Sequence, residues 1–466
     1  MRRRSSVGMS VVLLTLAAAA AGCGGGDSGR GGRDGAQSLT VWTTEDVADR
    51  VEATKKLTQR FTAKTGIHVK LVTVAEDQFD QLITSAVVAN DLPDVVAALS
   101  LAGVRDLAAN DLLDTDVAGQ VVNDLGAGTF APRAIELTRD GDRQLAVPSD
   151  GWGQLLVYRK DLFDKAGLAP PTTFDTIRKA AAALNKDRVA GITLATAPGD
   201  SFTQQSFEYV ALANGCQLVG DDGKVTLGSP ACVTAFDFYS TLARDYSVPG
   251  NQDVDSTRAT YFAGRAAMII WSSFLLDEMA GLRDDALPSC PECRGDKAFL
   301  AKNSGVVSAI QGPDGSAPAQ YGDIVSWTPV RGGPKDAAAK FITFMMSEAY
   351  VDWLALAPEG KVPVRRGPSA GDTSYVTAWR GLKSGVDTKK PLSDFYGPDV
   401  LRTVEASPDT LARWGLTQGQ GDLVGASLGE LPVPKALSEQ IAGKADGRAT
   451  AAKAQKAVEE IQKGLK

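Results

Sequence analysis

The sequence contains one histidine, His68, in 466 residues. That scarcity removes most zinc centres and leaves a Ser-His-Asp mechanism a single possible base, with no nucleophile elbow around any serine. Cationic excess is missing as well. The 49 Lys and Arg stand against 56 Asp and Glu, a formal charge of −7, which offers no electrostatic footprint for nucleic acid. The apolar run Val11 to Ala21 is too short to span a bilayer. Cysteine is limited to five residues, and only Cys290-Pro-Glu-Cys293 has close spacing. Without a second CxxC or a thioredoxin-like βαβ context, a zinc half-site or a redox motif is the weaker reading of that pair.

What is present begins with an export signal over residues 1–22. Arg2-Arg3-Arg4 precedes the apolar run, and Ala20-Ala21-Gly22 leads to Cys23. Residues 23–38 form a flexible tether, GGGDSGRGGRDGAQ at its centre, with no side chains able to build a core. A protein exported this way sits in an oxidising compartment, so Cys216 with Cys232 and Cys290 with Cys293 are expected as structural disulfides.

The body is long enough for two or three cores. Leu39-Thr40-Val41-Trp42 reads as a strand. Val47, Val51, Thr54, Leu57 and Phe61 line one side of a helix that Gly66 is placed to cap. Ile67, Val69 and Leu71 alternate as a second strand. Phe79, Leu82, Ile83, Ala86 and Val87 form a helical stripe, and Val95 to Leu99 is a third strand, apolar throughout. This β-α-β-α-β pattern implies a parallel sheet, whose ligands collect beyond the carboxyl ends of the strands; Trp42, Gln78 and Ser100 occupy such ends. Further on, Thr173 is an N-cap for a helix to about Asn185, Ile192 to Ala195 reads as a strand, and Ser201 to Ala213 as a helix carrying Gln204 and Gln205. Tyr261 to Ser273 ends a helix and enters a strand that delivers Trp271 to its tip. The organising stretch is Gln144 to Gly167. Its two apolar strands are interrupted by Pro148-Ser149-Asp150-Gly151-Trp152-Gly153, where proline and glycine predict a crossover in place of a continuous strand.

Four stretches, in order, carry a resemblance. They are Pro93 to Val96, Val147-Pro148 through Tyr158 to Pro171, Phe262 to Met268, and Lys335 to Phe341 through Gly360 to Arg365. The chain resembles the extracellular solute-binding proteins (family 1, maltose-binding-protein-like) of bacterial carbohydrate ABC importers, and its N-terminus resembles a lipobox, with Ala20 where Leu is usual. The resemblance implies an α/β, two-lobed, type II periplasmic-binding-protein-like fold, each lobe a mostly parallel sheet flanked by helices and joined by a hinge. It divides the chain into residues 39–148 plus 272–330 as lobe 1 and 150–270 plus 335–466 as lobe 2. It also implies a monomer held to the outer face of the cell membrane by a diacylglycerol on Cys23. That protein passes a sugar to the permease transmembrane subunits without changing it chemically, with no cofactor, metal or nucleic acid. Sugars need aromatic platforms for C–H faces and amides or carboxylates for hydroxyls. The corresponding positions hold Trp42, Gln78, Ser100, Asp150, Trp152, Gln204, Gln205, Trp271 and Glu359. Trp327, Trp353, Trp379 and Trp414 are assigned to packing. The rival readings are a binding protein for a polyol, glycerophosphodiester or polyamine, a sensor partner of a membrane receptor, and a glycosidase, whose carboxylate pair nothing in the sequence marks out.

Overall fold

Alternation of apolar residues makes the first strand. In β1 (Ser38–Thr43), Leu39 and Val41 are buried on one face. β1 pairs in parallel with β2 (His68–Thr73) on one side and β3 (Val95–Leu99) on the other. Between them, α1 (Ala48–Thr65) buries Thr54, Leu57 and Phe61 and stops at Gly66, whose φ of 76° satisfies the helix end without a Cβ penalty. α2 (Phe79–Ala89) buries Phe79, Ile83 and Ala86 but leaves Leu82 and Val87 exposed, so its buried stripe is narrower than the periodicity predicts. α3 (Leu101–Ala109) follows β3 directly, with Ser100 as its N-cap. The computed structural model describes residues 38–75 and 78–465. The export signal, Cys23 and the tether up to residue 37 lie outside the described residues. Among the described residues no helix is long and apolar enough to cross a membrane.

The expected crossover at 148–153 is not a break. Val147–Arg159 is one continuous strand of 13 residues. Its first half pairs antiparallel with the return strand Gln320–Pro329, from Val147 opposite Trp327 to Gly153 opposite Gly322. Its second half pairs with Met268–Ser272 on one edge and Ser304–Val307 on the other. Pro148 is absorbed by a register shift between Pro148 and Asp150, where the missing N–H costs least. Gly153 is required: a Cβ there would overlap the side chains of Gln320 and Ser407. Local breaker signals thus lose to partners on both sides.

The return strand completes the first sheet by pairing antiparallel with β3, giving the order Val362–Pro363, long strand, return strand, β3, β1, β2. Among the described strands parallel pairing joins β1 with β2 and β3 and the short strand Leu411–Ala412 with the return strand, while the other strand pairs are antiparallel, so the sheet is mixed instead of mostly parallel. The expected strand at Ile192 to Ala195 is reduced to a single bridge, Thr193 to Ile269. Helices Phe174–Leu184 and Ser201–Ala213 form where predicted, the former with a Thr173–Thr176 capping box. Helix Lys335–Met345 packs Phe341 and Phe344 on Phe61 of α1, with ring centres 5.2 and 5.5 Å apart. Both expected disulfides are formed, with Cα separations of 4.6 Å (Cys216–Cys232) and 4.9 Å (Cys290–Cys293). Trp327, Trp353, Trp379 and Trp414 are buried, as their sequence placement suggested. The C-terminal helix Gly447–Gly464 buries Ala451, Ala454, Val458 and Ile461, so its charged face is only one of two.

Candidate functional site

Strand ends and helix starts converge on a cavity of about 710 Å³. Thr44 follows β1, Ala98 to Ser100 end β3, and α3 adds Ala102, Gly103, Asp106 and Asn110. The long strand contributes Trp152. Facing these are the first turn of Ser201–Ala213 (Ser201, Phe202, Gln205), the tip of Met268–Ser272 (Trp271, Ser272) and Phe274. Helix Gly421–Glu430 lays Gly425, Ala426 and Gly429 along the remaining side. A second hollow of about 500 Å³, walled by the stacked Phe174 and Phe238, lies away from these strand ends. Position at the carboxyl ends of parallel strands favours the first as the ligand site.

Local structure fixes the cavity edge. Ser100 accepts the Gly103 N–H at 3.2 Å, and the backbone bulges between Val96 and Leu99. Ala98 is held at φ 59°, a left-handed conformation that costs an alanine on the order of 1 kcal/mol, and the Thr44 hydroxyl donates to its carbonyl at 2.8 Å. Trp271 is buried, donates its indole N–H to the Val254 carbonyl at 3.2 Å, and stands 5.8 Å from the Phe202 ring. Trp152 is half-buried against Tyr321 at 5.9 Å. Of the charged groups on the wall, Asp80, Asp106 and Asp200 are all acidic; among the described residues none of the lining side chains is Lys, Arg or His. Burial, followed by the nearby Asp80 and Asp422, pushes the Asp106 carboxyl up. The wall therefore offers apolar faces, hydroxyls, amides and carboxylates, a donor and acceptor set suited to a polyhydroxylated guest.

Of the sequence-predicted residues, Ser100, Trp152, Gln205 and Trp271 are brought together here. The others are not on this wall. Trp42 packs half-buried against the apolar cluster that holds Phe79 and Leu99. Gln78 is exposed just ahead of α2, and Gln204 is buried on its helix. Asp150 and Glu359 are fully buried counter-ions. Lys361 binds Glu45 at 2.5 Å and Asp150 at 3.6 Å, while Arg50 binds Glu45 at 3.2 Å and Glu359 at 3.8 Å. Asp150 also accepts from Ser149 at 2.6 Å and from the Trp353 indole at 2.8 Å. Burial pushes the Asp150 and Glu359 carboxyls up, against the attraction of Lys361 and Arg50 respectively. For Glu45 burial acts the same way, but Lys361 and Arg50 outweigh it and hold the carboxyl at about 2. Sequence reasoning missed Phe79, Phe202 and Phe274 and the whole of Gly421–Glu430. Phe79 and Phe202 begin helices next to positions already marked as strand ends or helix amides, so proximity was an available signal. Gly421–Glu430 carries none.

The family model for bacterial extracellular solute-binding proteins matches residues 45–352. The chain belongs to that family. This solute-binding protein is 30% identical, over 329 residues, to the putative ABC transporter periplasmic-binding protein YcjN of Escherichia coli (strain K12), covering 68% of this chain and 71% of that one. In three dimensions it is similar to the GacH receptor of Streptomyces glaucescens GLA.O, solved unliganded and with acarbose (TM-score 0.71, 19% identity, 93% of this chain and 100% of that chain). It is also similar to maltose-bound MalE3 of T. maritima (TM-score 0.67, 18% identity, 91% and 100%). The type II periplasmic-binding-protein fold implied by the sequence resemblance is therefore the fold of this solute-binding protein. Its long strand, through Trp152, and the end of β3, through Ala98 and Leu99, line the cavity just described.

Proposed function

We propose that this protein is the substrate-binding subunit of a bacterial ABC importer that captures a sugar or oligosaccharide and hands it intact to the permease. The observation that carries the reading is the cavity itself: the rings of Trp152, Trp271, Phe202 and Phe274 lining it together with Ser100, Gln205 and three carboxylates, at the carboxyl ends of the strands. Ser100, Trp152, Gln205 and Trp271 are the proposed sugar contacts. The relatives of known ligand, bound to maltose and acarbose, support a saccharide over an amino acid. We further propose that the two halves of the long strand belong to two lobes that close on the guest, and that Cys23 carries the lipid that tethers the protein outside the membrane. Residues 335–363 then stand with the first lobe, because that segment packs on α1 and pairs with the strand's first half.

The test is a thermal-shift screen of the folded protein against maltose, acarbose, monosaccharides, polyols, amino acids and polyamines. A hundredfold excess of a solute over its Kd should add roughly 2.7 kcal/mol of stability. Response to a saccharide, with the saccharide recovered unchanged, is the expected result. Response to polyamines alone, or hydrolysis of the sugar, overturns it. For the anchor, Cys23→Ala should move the protein from the membrane fraction to the medium.

A further inference from the structure

We propose that Arg413, which does not line the cavity, is a positioning residue that sets three cavity walls at once; this rests on reading that cavity as the ligand site. Arg413 follows the short strand Leu411–Ala412, which runs parallel to Gln320 and Tyr321 at the start of the return strand. It is buried, and its guanidinium has three side-chain partners on two elements, Asp323 and Tyr321 on the return strand and Glu208 on helix Ser201–Ala213. Nη1 lies 2.9 Å from Asp323, Nε lies 3.4 Å from Glu208, and the guanidinium carbon stands 4.9 Å from the centre of the Tyr321 ring.

Each partner leads to a different wall. The other oxygen of Asp323 accepts the N–H of Leu101 at 3.1 Å, the first residue of α3 and the neighbour of Ser100. Tyr321 supports the Trp152 ring at 5.9 Å. Glu208 lies one turn beyond Gln205 on helix Ser201–Ala213, whose first turn faces α3 across the cavity. It also accepts the Trp414 N–H at 2.8 Å, which locks the arginine's own segment to that helix. One planar fork therefore spaces the α3 edge, the tryptophan platform and the opposing helix. Lysine, with a single point charge, reaches only one of these partners at a time.

The energetics separate positioning from stability. Two carboxylates surround one guanidinium, all out of water; burial pushes both carboxyls up and the arginine opposes it. Replacing such a buried cluster by neutral groups of similar volume is often neutral or stabilising, whereas removing one partner strands the others. A neutral triple replacement should consequently keep the fold and lose the spacing.

The experiment uses the full chain labelled with 5-fluorotryptophan, comparing Arg413→Lys and the triple variant Arg413→Met, Asp323→Asn, Glu208→Gln with the native protein. The Trp152 fluorine resonance is assigned by its loss in Trp152→Phe. In ligand-free protein, both variants should shift or broaden that resonance beyond its native linewidth while the resonance of Trp379, which touches none of these groups, stays in place. With maltose as probe, affinity should fall at least tenfold. A folded variant with the native Trp152 resonance overturns the proposal. If the triple variant does not fold, the lysine variant decides alone. Loss of folding in the lysine variant, which keeps the charge, also overturns it by making Arg413 a determinant of stability. Failure of the native protein to bind maltose bears on the proposed ligand class and leaves the resonance test standing.

Discussion

Glu45 is the acid whose removal has the most calculable consequence. It sits just past β1, next to Thr44 on the cavity wall, and joins Lys361 at 2.5 Å to Arg50 at 3.2 Å. Burial alone would raise its pKa, but the two cations bring it from 4.5 to about 2. That fall corresponds to roughly 3 kcal/mol of stability at neutral pH. Little of it is lost to solvent screening, since the Glu45 side chain is only 11% exposed and Lys361 only 2%. The sign follows from the order of the two ionisations. As pH falls, the unfolded carboxyl takes up its proton near 4.5 while the folded one stays ionised to about 2. The contribution is therefore complete above pH 4.5 and lost between 4.5 and 2. Glu45→Gln preserves the shape and removes the charge, leaving Lys361 with Asp150 at 3.6 Å as its remaining acidic partner. Urea unfolding of native and variant protein, followed by tryptophan fluorescence at pH 7, 5, 4 and 3, measures the gap directly. Carboxylates away from this cluster titrate alike in both proteins and cancel in the difference; Asp150, which Glu45 pushes up, is the one neighbour that does not. We expect a deficit of about 3 kcal/mol at pH 7, narrowing steadily below pH 4.5. A deficit that stays constant from pH 7 to pH 3 would refute the reasoning.

Two further outcomes follow from packing. Trp271→Ala is expected to cost about 3–5 kcal/mol in denaturant melts because the ring is buried against Phe202 and its N–H is bonded, so binding is better probed with Trp271→Phe, which should melt within about 1.5 kcal/mol of native while losing affinity for the bound sugar in calorimetry. Native affinity in the phenylalanine variant would return Trp271 to the core. A methyl at Gly360 overlaps the ring of Phe274, a cavity residue whose ring also faces Arg50 at 5.5 Å. Gly360→Ala should lower stability by about 1–3 kcal/mol and weaken sugar binding, and Phe274→Leu in the same protein should restore the stability; an additive double variant contradicts the overlap.

The candidate site was only half legible, for a specific reason. Trp271 was found because it follows the apolar residues Met268 to Ile270 where the resembling family carries an aromatic, and Ser100 because it stands just past an apolar strand; both positions are marked by the residues beside them. Asp150 and Glu359 look in sequence like carboxylates at a hinge and a loop. Their role as counter-ions depends on Lys361, Arg50 and Trp353, and Asp150 lies more than 200 residues from two of its partners. The crossover expected at Pro148 to Gly153 failed on the same ground: breaker residues describe a chain alone, and this segment pairs with the return strand on one side and, at Asp150 and Gly151, with Val362–Pro363 on the other.

Sequence by itself determined the early β-α-β-α-β order, the helices with clear caps and the two disulfide pairs, because each follows from periodicity, capping or cysteine usage within a short span. Tertiary structure alone decided that one strand serves two sets of partners, that Gly421–Glu430 forms a cavity wall, and which carboxylates face solvent and which face a cation. Those outcomes are set by contacts between residues far apart in the chain, and side-chain charge or polarity does not reveal which way a residue will be turned.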